Sequence, residues 1–229
     1  SVGIPEDDII QIAIKSMSLD QLKPFCPKEK VIEMLLEADD DTQKLVDLSV
    51  KAFTEETSRE SPAPGGGTIA ACMGAMGAAL GTMVANLSAH KRGWDERWEE
   101  FSRWAEKGQA LQSRLLRLID DDTAAFNEIM AAFGMPKSND EEKTLRSAAI
   151  QTATLHAAQV PLETMKTAFE AFALCKEMAE NGNPNSISDA GVGALAIRAA
   201  VRGACMNVKI NASSLKDRSL AEPLIAEAD

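Results

Sequence analysis

The segment from residue 61 to residue 87 constrains the fold most, because it holds no charged side chain and consists mostly of Ala, Gly, Met and Leu. It opens with two prolines and Gly65–Gly67, which favour a tight loop because glycine adopts backbone angles closed to other residues. Thr68 is the predicted N-cap of a helix that starts at Ile69. Glycine inside a helix costs backbone entropy, so we expect other helices to pack closely around this one.

A charge-free run of this length also fits a transmembrane helix, with Gly77 and Gly81 as a GxxxG pair. Three features favour a soluble protein instead. The run is rich in Ala and Gly rather than Leu, Ile and Phe; no aromatic belt follows it; and the rest of the chain is polar. The sequence therefore predicts the buried central helix of a soluble bundle.

The composition favours helices over strands and excludes some classes of partner. Aromatic residues make up 4% of the 229 residues, and Tyr is absent. Strands favour aromatic and β-branched residues, so this composition predicts helices. The net charge of −11 argues against nucleic acid or an anionic membrane as a partner. An anionic small molecule would need a local basic patch.

Cysteine usage predicts a reducing compartment. Cys26, Cys72, Cys175 and Cys205 are scattered, with no CxxC pair, so we expect free buried thiols and no zinc site. No signal-peptide pattern is found at the N-terminus, and a cytoplasmic location is expected. A first residue that is not Met suggests a processed, tagged or truncated chain.

Hydrophobic periodicity predicts an all-α fold, a multi-helix antiparallel bundle with two central small-residue helices. A hydrophilic break at 39–41 divides a helical linker, residues 1–40, from a main domain, residues 41–229. Pro161 should kink or split the helix that contains it. The predicted helices span residues 6–17, 27–36, 42–58, 69–87, 94–133, 140–178 and 190–206, the fifth of them unusually long.

Asp122 is the strongest candidate for a catalytic group. It lies four residues after Leu118 and four before Phe126, so it falls on the apolar stripe of the long helix, whereas Asp121 points away. A carboxylate among apolar neighbours has a raised pKa and can exchange protons near neutrality. The alternatives are a solvated acidic patch and a metal-binding patch.

Other candidates have weaker patterns. The loop Pro64–Thr68 either binds an anion on free N–H groups or is only a tight turn, and it lacks P-loop spacing. Lys91 and Arg92 are either a basic subsite or a solvated turn. Side-chain amides and carboxylates near helix ends either cap the helices or bind the polar edge of a heterocycle; they are Asn185, Asp189, Asn207 and Asn211.

Four motifs together resemble the cyclodeaminase/cyclohydrolase family, which includes the C-terminal domain of formiminotransferase-cyclodeaminase and methenyltetrahydrofolate cyclohydrolases. They are PAPGGGTIAA, LIDDDTAAF, GNPNSISDAGVGA and NVKIN, within a resemblance that runs from about Leu45 to Lys216. Residues 1–37, with SLDQLKPFCPKEKVIEMLL, resemble the tail of the formiminotransferase part.

The resemblance implies a dimer or higher oligomer that converts 5-formiminotetrahydrofolate to 5,10-methenyltetrahydrofolate and ammonia, in histidine degradation. The family's catalytic aspartate matches Asp122, and the charge of Asp121 is expected to raise its pKa further. No metal or other cofactor is implied beyond the folate substrate, and a formiminotransferase domain is the expected partner.

The resemblance also suggests how the weaker candidates would act. Pro64, Gly65, Gly66, Gly67, Thr68, Asn185 and Asp189 would shape the pocket. Asn207 and Asn211 would bind the pterin, and Lys91 and Arg92, or Lys209, the glutamate tail. Two rival hypotheses remain open: a methenyltetrahydrofolate cyclohydrolase on the same scaffold, and a helical module that only oligomerises a partner domain.

Overall fold

The computed structural model describes residues 6–21, 23–32, 44–61 and 63–229. These residues form helices and no strands, as the composition predicts. The predicted break at 39–41, and with it the proposed boundary between linker and main domain, lies outside the described residues. The helices are α1 Glu6–Ser16, α2 Pro27–Lys30, α3 Val50–Thr57, α4 Gly66–Ala89, α5 Trp98–Gly134, α6 Asp140–Asn181, α7 Ile187–Ser213 and α8 Arg218–Ala228, with short 3-10 helices at Leu45–Asp47, Asp95–Arg97 and Pro184–Ser186.

Helices α4 to α7 form an up-down-up-down bundle. Antiparallel packing of α4 on α5 follows from two contacts, Gly67 with Asp122 at one end and Thr82 with Gly108 further along. Helix α7 also runs antiparallel to α4, since Gly66 faces Asn207 at one end and Gly77 meets Gly193 further along. Helix α8 packs against α7 and α6.

The small residues of α4 allow its neighbours to approach closely, as the sequence predicts. A Cβ on Gly77 would lie 2.7 Å from the backbone oxygen of Gly193, and one on Gly81 would lie 2.8 Å from the Leu174 side chain. Both distances are shorter than any normal contact. At Gly77 the neighbour is backbone, so only glycine fits there, whereas a side chain at position 81 would force the buried Leu174 to shift. Helix α4 contacts α5, α6 and α7, which makes it the centre of the bundle.

By length and composition, Gly66–Ala89 is the one helix among the described residues that is long and apolar enough to cross a membrane. Within its most apolar window, 61% of the residues are buried inside the bundle. Such burial is typical of a core helix, the interpretation that the sequence favours.

Several predicted boundaries were wrong. Helix α4 begins at Gly66 with Gly65 as its N-cap, so Thr68 is the third residue of the helix and not the cap. Helix α3 begins only at Val50, where the Ser49 hydroxyl caps it. The NVKIN segment, residues 207–211, lies inside α7 rather than after a shorter helix. The residues after 216 form α8, which the hydrophobic pattern did not reveal.

Pro161 neither splits its helix nor leaves a backbone carbonyl unsatisfied. Helix α6 continues through Pro161, although proline has no N–H to offer the carbonyl of Ala157 four residues earlier. The side-chain amide of Asn211 on α7 donates to that carbonyl at 2.6 Å. A side chain from the neighbouring helix thus replaces the missing backbone hydrogen bond.

The cysteines are free, as predicted, but they are not all buried. Cys175 is buried between α6 and α4, and burial raises its pKa to about 11. Cys26 is exposed. A thiol with a pKa as high as that of Cys175 stays protonated at neutral pH and is unreactive.

Candidate active site at the start of the central helix

The first turn of α4 holds the side chain of Asp122 from α5. The Thr68 hydroxyl donates to Oδ2 of Asp122 at 2.7 Å, and its oxygen accepts the backbone N–H of Gly65 at 3.3 Å. Because the hydroxyl proton is directed at the carboxylate, Asp122 is held as a hydrogen-bond acceptor. Asp122 is half-buried, whereas Thr68 is fully buried.

Gly67 allows this approach because it has no side chain. A Cβ built on Gly67 would lie 2.2 Å from Oδ1 of Asp122, which is far inside van der Waals contact. The next glycine along, Gly66, faces Asn207 instead, and there a Cβ would lie 3.2 Å from the side-chain amide. Gly66 and Gly67 therefore have different neighbours, and of these two glycines it is Gly67 that contacts the carboxylate.

Burial raises the pKa of Asp122 above the usual range of aspartic acid. The Thr68 hydroxyl and the Thr68 backbone N–H oppose this shift, because both stabilise the charged carboxylate. The N-terminus of a helix also favours a negative charge. The group therefore combines a raised pKa with donors that hold the carboxylate in one orientation, which suits a residue that gives and takes protons.

The other two aspartates of the acidic run face elsewhere. Asp121 is exposed, as predicted, and it is not a cause of the raised pKa of Asp122, which comes from burial. The expectation that its charge adds to the shift was therefore wrong. Asp120 is half-buried and accepts the backbone N–H of Leu45 at 2.7 Å. It anchors the segment before α3, a role that the sequence did not reveal.

Asn207 lies close to the N-terminus of α4, the end that holds Asp122, as its contact with Gly66 shows. Its amide donates to the carbonyl of Gly203 one turn earlier on α7. Asn211 lies one turn further along α7, where its amide donates a hydrogen bond to the Ala157 carbonyl. Asn207 is thus beside the candidate site, whereas one function of Asn211 is structural.

Four of the predicted residues lie at the opposite end of the bundle. Lys91 follows the C-terminus of α4, about 35 Å from its start, given the 24 residues of the helix. Its ammonium lies 3.9 Å from the centroid of the Trp94 ring, and Arg92 beside it is exposed. Asn185 and Asp189 are at this end too, since the Asn183 N–H donates to the Ser88 hydroxyl at 2.8 Å.

Within one chain, therefore, the structure brings together Pro64, Gly65, Gly66, Gly67, Thr68, Asn207 and Asp122, but not Lys91, Arg92, Asn185 or Asp189. Lys209 forms an ion pair with Asp229, the residue that follows α8. In the part of the chain that the structure describes, no group of three or more His, Cys, Asp or Glu side chains is placed to hold a metal ion.

One polar group next to the site was missed by sequence reasoning. The hydroxyl of Thr123, which follows Asp122, is buried without a hydrogen-bond partner. Helical phase places Thr123 about 100° away from Asp122, outside the apolar stripe, so no pattern distinguished it.

Comparisons with known proteins identify the family of the chain. Residues 49–229 match the family model described as formiminotransferase-cyclodeaminase. A methenyltetrahydrofolate cyclohydrolase from Methylorubrum extorquens is 41% identical over 79% of this chain and 87% of its own length. A formimidoyltransferase-cyclodeaminase from Rattus norvegicus is 35% identical over 93% of this chain, which spans only 40% of that longer relative.

A solved structure has the same fold. The crystal structure of formiminotetrahydrofolate cyclodeaminase from Thermotoga maritima superimposes with a TM-score of 0.71 at 29% identity, covering 81% of this chain and 88% of that one. Family model, relatives and solved structure all agree with the resemblance carried by the four sequence motifs. The chain belongs to the formiminotransferase-cyclodeaminase family, whose members act in folate-dependent one-carbon metabolism.

Proposed function

We propose that this protein is a formimidoyltetrahydrofolate cyclodeaminase, an ammonia-lyase that converts 5-formiminotetrahydrofolate to 5,10-methenyltetrahydrofolate. In this reaction N10 of the folate attacks the amidine carbon carried by N5 and loses its proton. The former imine nitrogen takes up protons and leaves as ammonia. One carboxyl group that moves a proton between these two nitrogens is sufficient for the chemistry.

The pairing of Thr68 with Asp122 is the observation that carries this proposal. Asp122 is the proton carrier, and burial keeps its pKa closer to neutrality than that of an exposed aspartate. Thr68 binds Oδ2 and thereby fixes the orientation of the carboxyl group. Such a group contributes about 10²–10⁴-fold to the rate.

The surrounding residues would bind and orient the folate. The N–H groups of Gly66 and Gly67, in the first turn of α4, have no acceptors within the helix and would suit the polar edge of the pterin. Asn207 is placed beside Gly66 to add a side-chain amide. Holding N10 close to the amidine carbon adds an alignment effect to the proton transfer.

A second candidate is methenyltetrahydrofolate cyclohydrolase, in which water opens the ring of the product above. The specific observation in its favour is the 41% identity to the Methylorubrum extorquens cyclohydrolase, a relative that this chain matches over most of its length. The same proton-carrying carboxyl group would serve, because both reactions form or break a bond at the carbon between N5 and N10.

The proposed function also implies a partner domain, a metabolic pathway and a cellular location. The alignment with the Rattus norvegicus formimidoyltransferase-cyclodeaminase supports a formiminotransferase domain in the same native chain or complex, and with it a place in histidine degradation. The free cysteines are compatible with a cytoplasmic location. We expect a homodimer or higher oligomer and no cofactor besides the folate.

The experiment is to supply 5-formiminotetrahydrofolate to the purified protein and to follow methenyltetrahydrofolate by its ultraviolet absorbance, with ammonia assayed in parallel. Equal amounts of both products, formed faster than without enzyme, would establish the cyclodeaminase. Faster loss of added methenyltetrahydrofolate, with no ammonia formed from the formimino substrate, would establish the cyclohydrolase. Neither activity would refute both enzymes and leave the helical assembly module.

A further inference from the structure

Asp120 and Asp122 lie two residues apart on α5, and each binds the start of a different helical segment. Asp122 accepts hydrogen bonds from the hydroxyl and the backbone N–H of Thr68, in the first turn of α4. Asp120 accepts the backbone N–H of Leu45 at 2.7 Å and that of Val46, the first two residues of a 3-10 helix. The first N–H groups of a helix have no acceptors within it, so each carboxylate acts as a cap supplied by another helix.

The two capped segments are the ends of one stretch of chain. Residues 44–61, which we call the arm, contain α3 and lead into the glycine loop before α4. No residue of the arm is buried. Leu45, Val46 and Phe53 are half-buried and pack against the core of the bundle. The arm is therefore held on the bundle by a small apolar contact and by its hydrogen bonds to α5.

Among the described residues, Asp120 provides the hydrogen bonds between the arm and the bundle. The other hydrogen bonds of residues 44–61 stay within the arm and the loop that follows it. The ion pairs of the arm also join its own residues. The charges of Lys44 and Asp47 act on the Asp120 carboxylate in opposite directions. The attachment of the arm thus depends on the hydrogen bonds of Asp120 rather than on net charge.

The first turn of α4 depends on contacts from outside the helix. Its N-cap is Gly65, which has no side chain to bind the free N–H groups, and Gly66 and Gly67 follow. Glycine loses more conformational entropy than any other residue when it is fixed in a helix, so this turn opens easily unless it is held. The contact between Thr68 and Asp122 holds one side of the turn, and the arm is joined to the other side through the chain.

We propose that Asp120 is a positioning residue of the candidate active site. By fixing the arm to α5, it keeps the first turn of α4 in place, so that Thr68 stays on the Asp122 carboxylate. Release of the arm lets the glycine turn open and removes the Thr68 donors from Asp122. The structural part of this inference needs no activity, whereas the effect on catalysis rests on the proposed function.

Hydrogen exchange measured residue by residue tests the structural part. The informative N–H groups are those of Thr68 and Ile69, which bind Asp122 and the Gly65 carbonyl. Asp120→Ala should speed their exchange, and that of the arm, about tenfold or more, while the middle of α5 and α6 stays protected. Asp120→Asn removes the same charge but keeps an acceptor oxygen, and should exchange much more slowly than the Ala variant. Unchanged exchange at Thr68 and Ile69 in Asp120→Ala, or equal exchange in the two variants, would overturn the proposal.

A substitution on the arm tests the same contact without changing α5. Leu45→Pro removes the N–H that binds Asp120. Proline is tolerated at the first position of a helix, and Lys44 before it already has the extended backbone that proline requires. Leu45→Ala shortens the same side chain but keeps the N–H, which makes it the matched control. Leu45→Pro should speed exchange at Thr68 and Ile69 more than Leu45→Ala does; equal effects of the two would overturn the proposal.

Kinetics test the effect on the candidate site. Asp120→Ala should lower kcat about tenfold or more and move the acid limb of the pH–rate profile to higher pH, because charged Asp122 loses the Thr68 donors. Loss of the Asp120 charge alone would move that limb to lower pH, so the direction separates the two effects. Asp120→Asn should restore most of kcat. A limb that moves to lower pH in Asp120→Ala, or an Asn variant as slow as the Ala variant, would overturn the positioning role.

A double substitution tests whether the effect passes through Thr68. In a Thr68→Val background the hydroxyl is already lost, so Asp120→Ala should lower kcat little further. Additive losses would overturn this route. A wild-type protein with neither cyclodeaminase nor cyclohydrolase activity, in which Asp120→Ala still speeds exchange at Thr68, would refute the proposed function but support the structural role of Asp120.

Discussion

The Thr68 hydroxyl donates to Oδ2 of Asp122 at 2.7 Å while accepting the N–H of Gly65. This hydroxyl has only one proton, and the Gly65 N–H fixes the direction in which it points. The carboxyl group is therefore oriented by a group that is itself oriented by the backbone of the glycine loop. The candidate chemistry of Asp122 therefore depends on the place of Thr68 in the first turn of α4.

Thr68→Val should lower kcat/KM about tenfold or more, because a hydrogen bond to a charged group is worth about 1.5–3 kcal/mol. The pKa of Asp122 should also rise further, since Thr68 stabilises the charged form. The acid limb of the pH–rate profile should therefore move to higher pH. Thr68→Ser keeps the hydroxyl and should restore both; a Ser variant as impaired as Val would contradict the assigned contact.

Gly67→Ala should reduce activity about 100-fold, because the new Cβ lies 2.2 Å from Oδ1 of Asp122 and must displace it. Gly66→Ala is the matched control, since its Cβ lies 3.2 Å from the Asn207 amide, which can shift slightly. Steady-state kinetics on both variants, with circular dichroism to verify folding, makes the comparison. Equal losses of activity in the two variants would mean that activity depends on the conformation of the whole loop rather than on the position of the Asp122 carboxylate.

Much of the fold can be predicted from the local hydrophobic pattern of the sequence, and the position of Asp122 is an example. Helical phase places it on the apolar stripe of α5, and the structure confirms that it is partly buried. The start of α4 was misplaced, because the Thr68 hydroxyl is used by Asp122, which is 54 residues away in the sequence. N-cap preferences describe local hydrogen bonds and carry no information about such a distant partner.

Asn211 is a second residue whose partner lies far away in the sequence and could not be predicted from local patterns. From the sequence, this amide was expected either to cap a helix or to bind a heterocycle; in the structure it donates to a carbonyl that Pro161 leaves free on a different helix. The sequence identifies the proline and the asparagine separately. Only the packing of α6 against α7 reveals that they compensate each other.

Asn211→Ala should lower the free energy of unfolding by about 1–3 kcal/mol, because the Ala157 carbonyl loses its donor. In a Pro161→Ala background the backbone N–H of the new alanine can bind that carbonyl, so the same substitution should cost much less. Urea unfolding of the four proteins gives the coupling energy. Additive effects would show that Asn211 and Pro161 do not compensate each other.

The free energy of unfolding should depend on the ionisation of Asp122. Burial raises its pKa in the folded protein, so the folded state holds this proton more tightly than the unfolded state does. The contribution of Asp122 to stability is therefore full below the unfolded pKa of about 4 and is lost as the pH rises through the raised folded pKa. Asp122→Asn cannot ionise and should be more stable than the wild type above that range.

The measurement is urea unfolding of wild type and Asp122→Asn from pH 4 to pH 8. The difference in free energy of unfolding should change in favour of the variant as the pH rises. Asp121→Asn, at an exposed position, should show no such trend. A pH-independent difference for Asp122→Asn would mean that burial does not perturb this group.

The central claim is that Asp122 carries the proton, and single-turnover kinetics on Asp122→Asn tests it most directly. With enzyme in excess, the rate of methenyltetrahydrofolate formation should fall by about 10²–10⁴-fold relative to wild type, while substrate affinity changes little. Asp121→Asn, measured alongside, should retain the wild-type rate. An Asp122→Asn enzyme that turns over at the wild-type rate would contradict the mechanism, whatever the family of the chain.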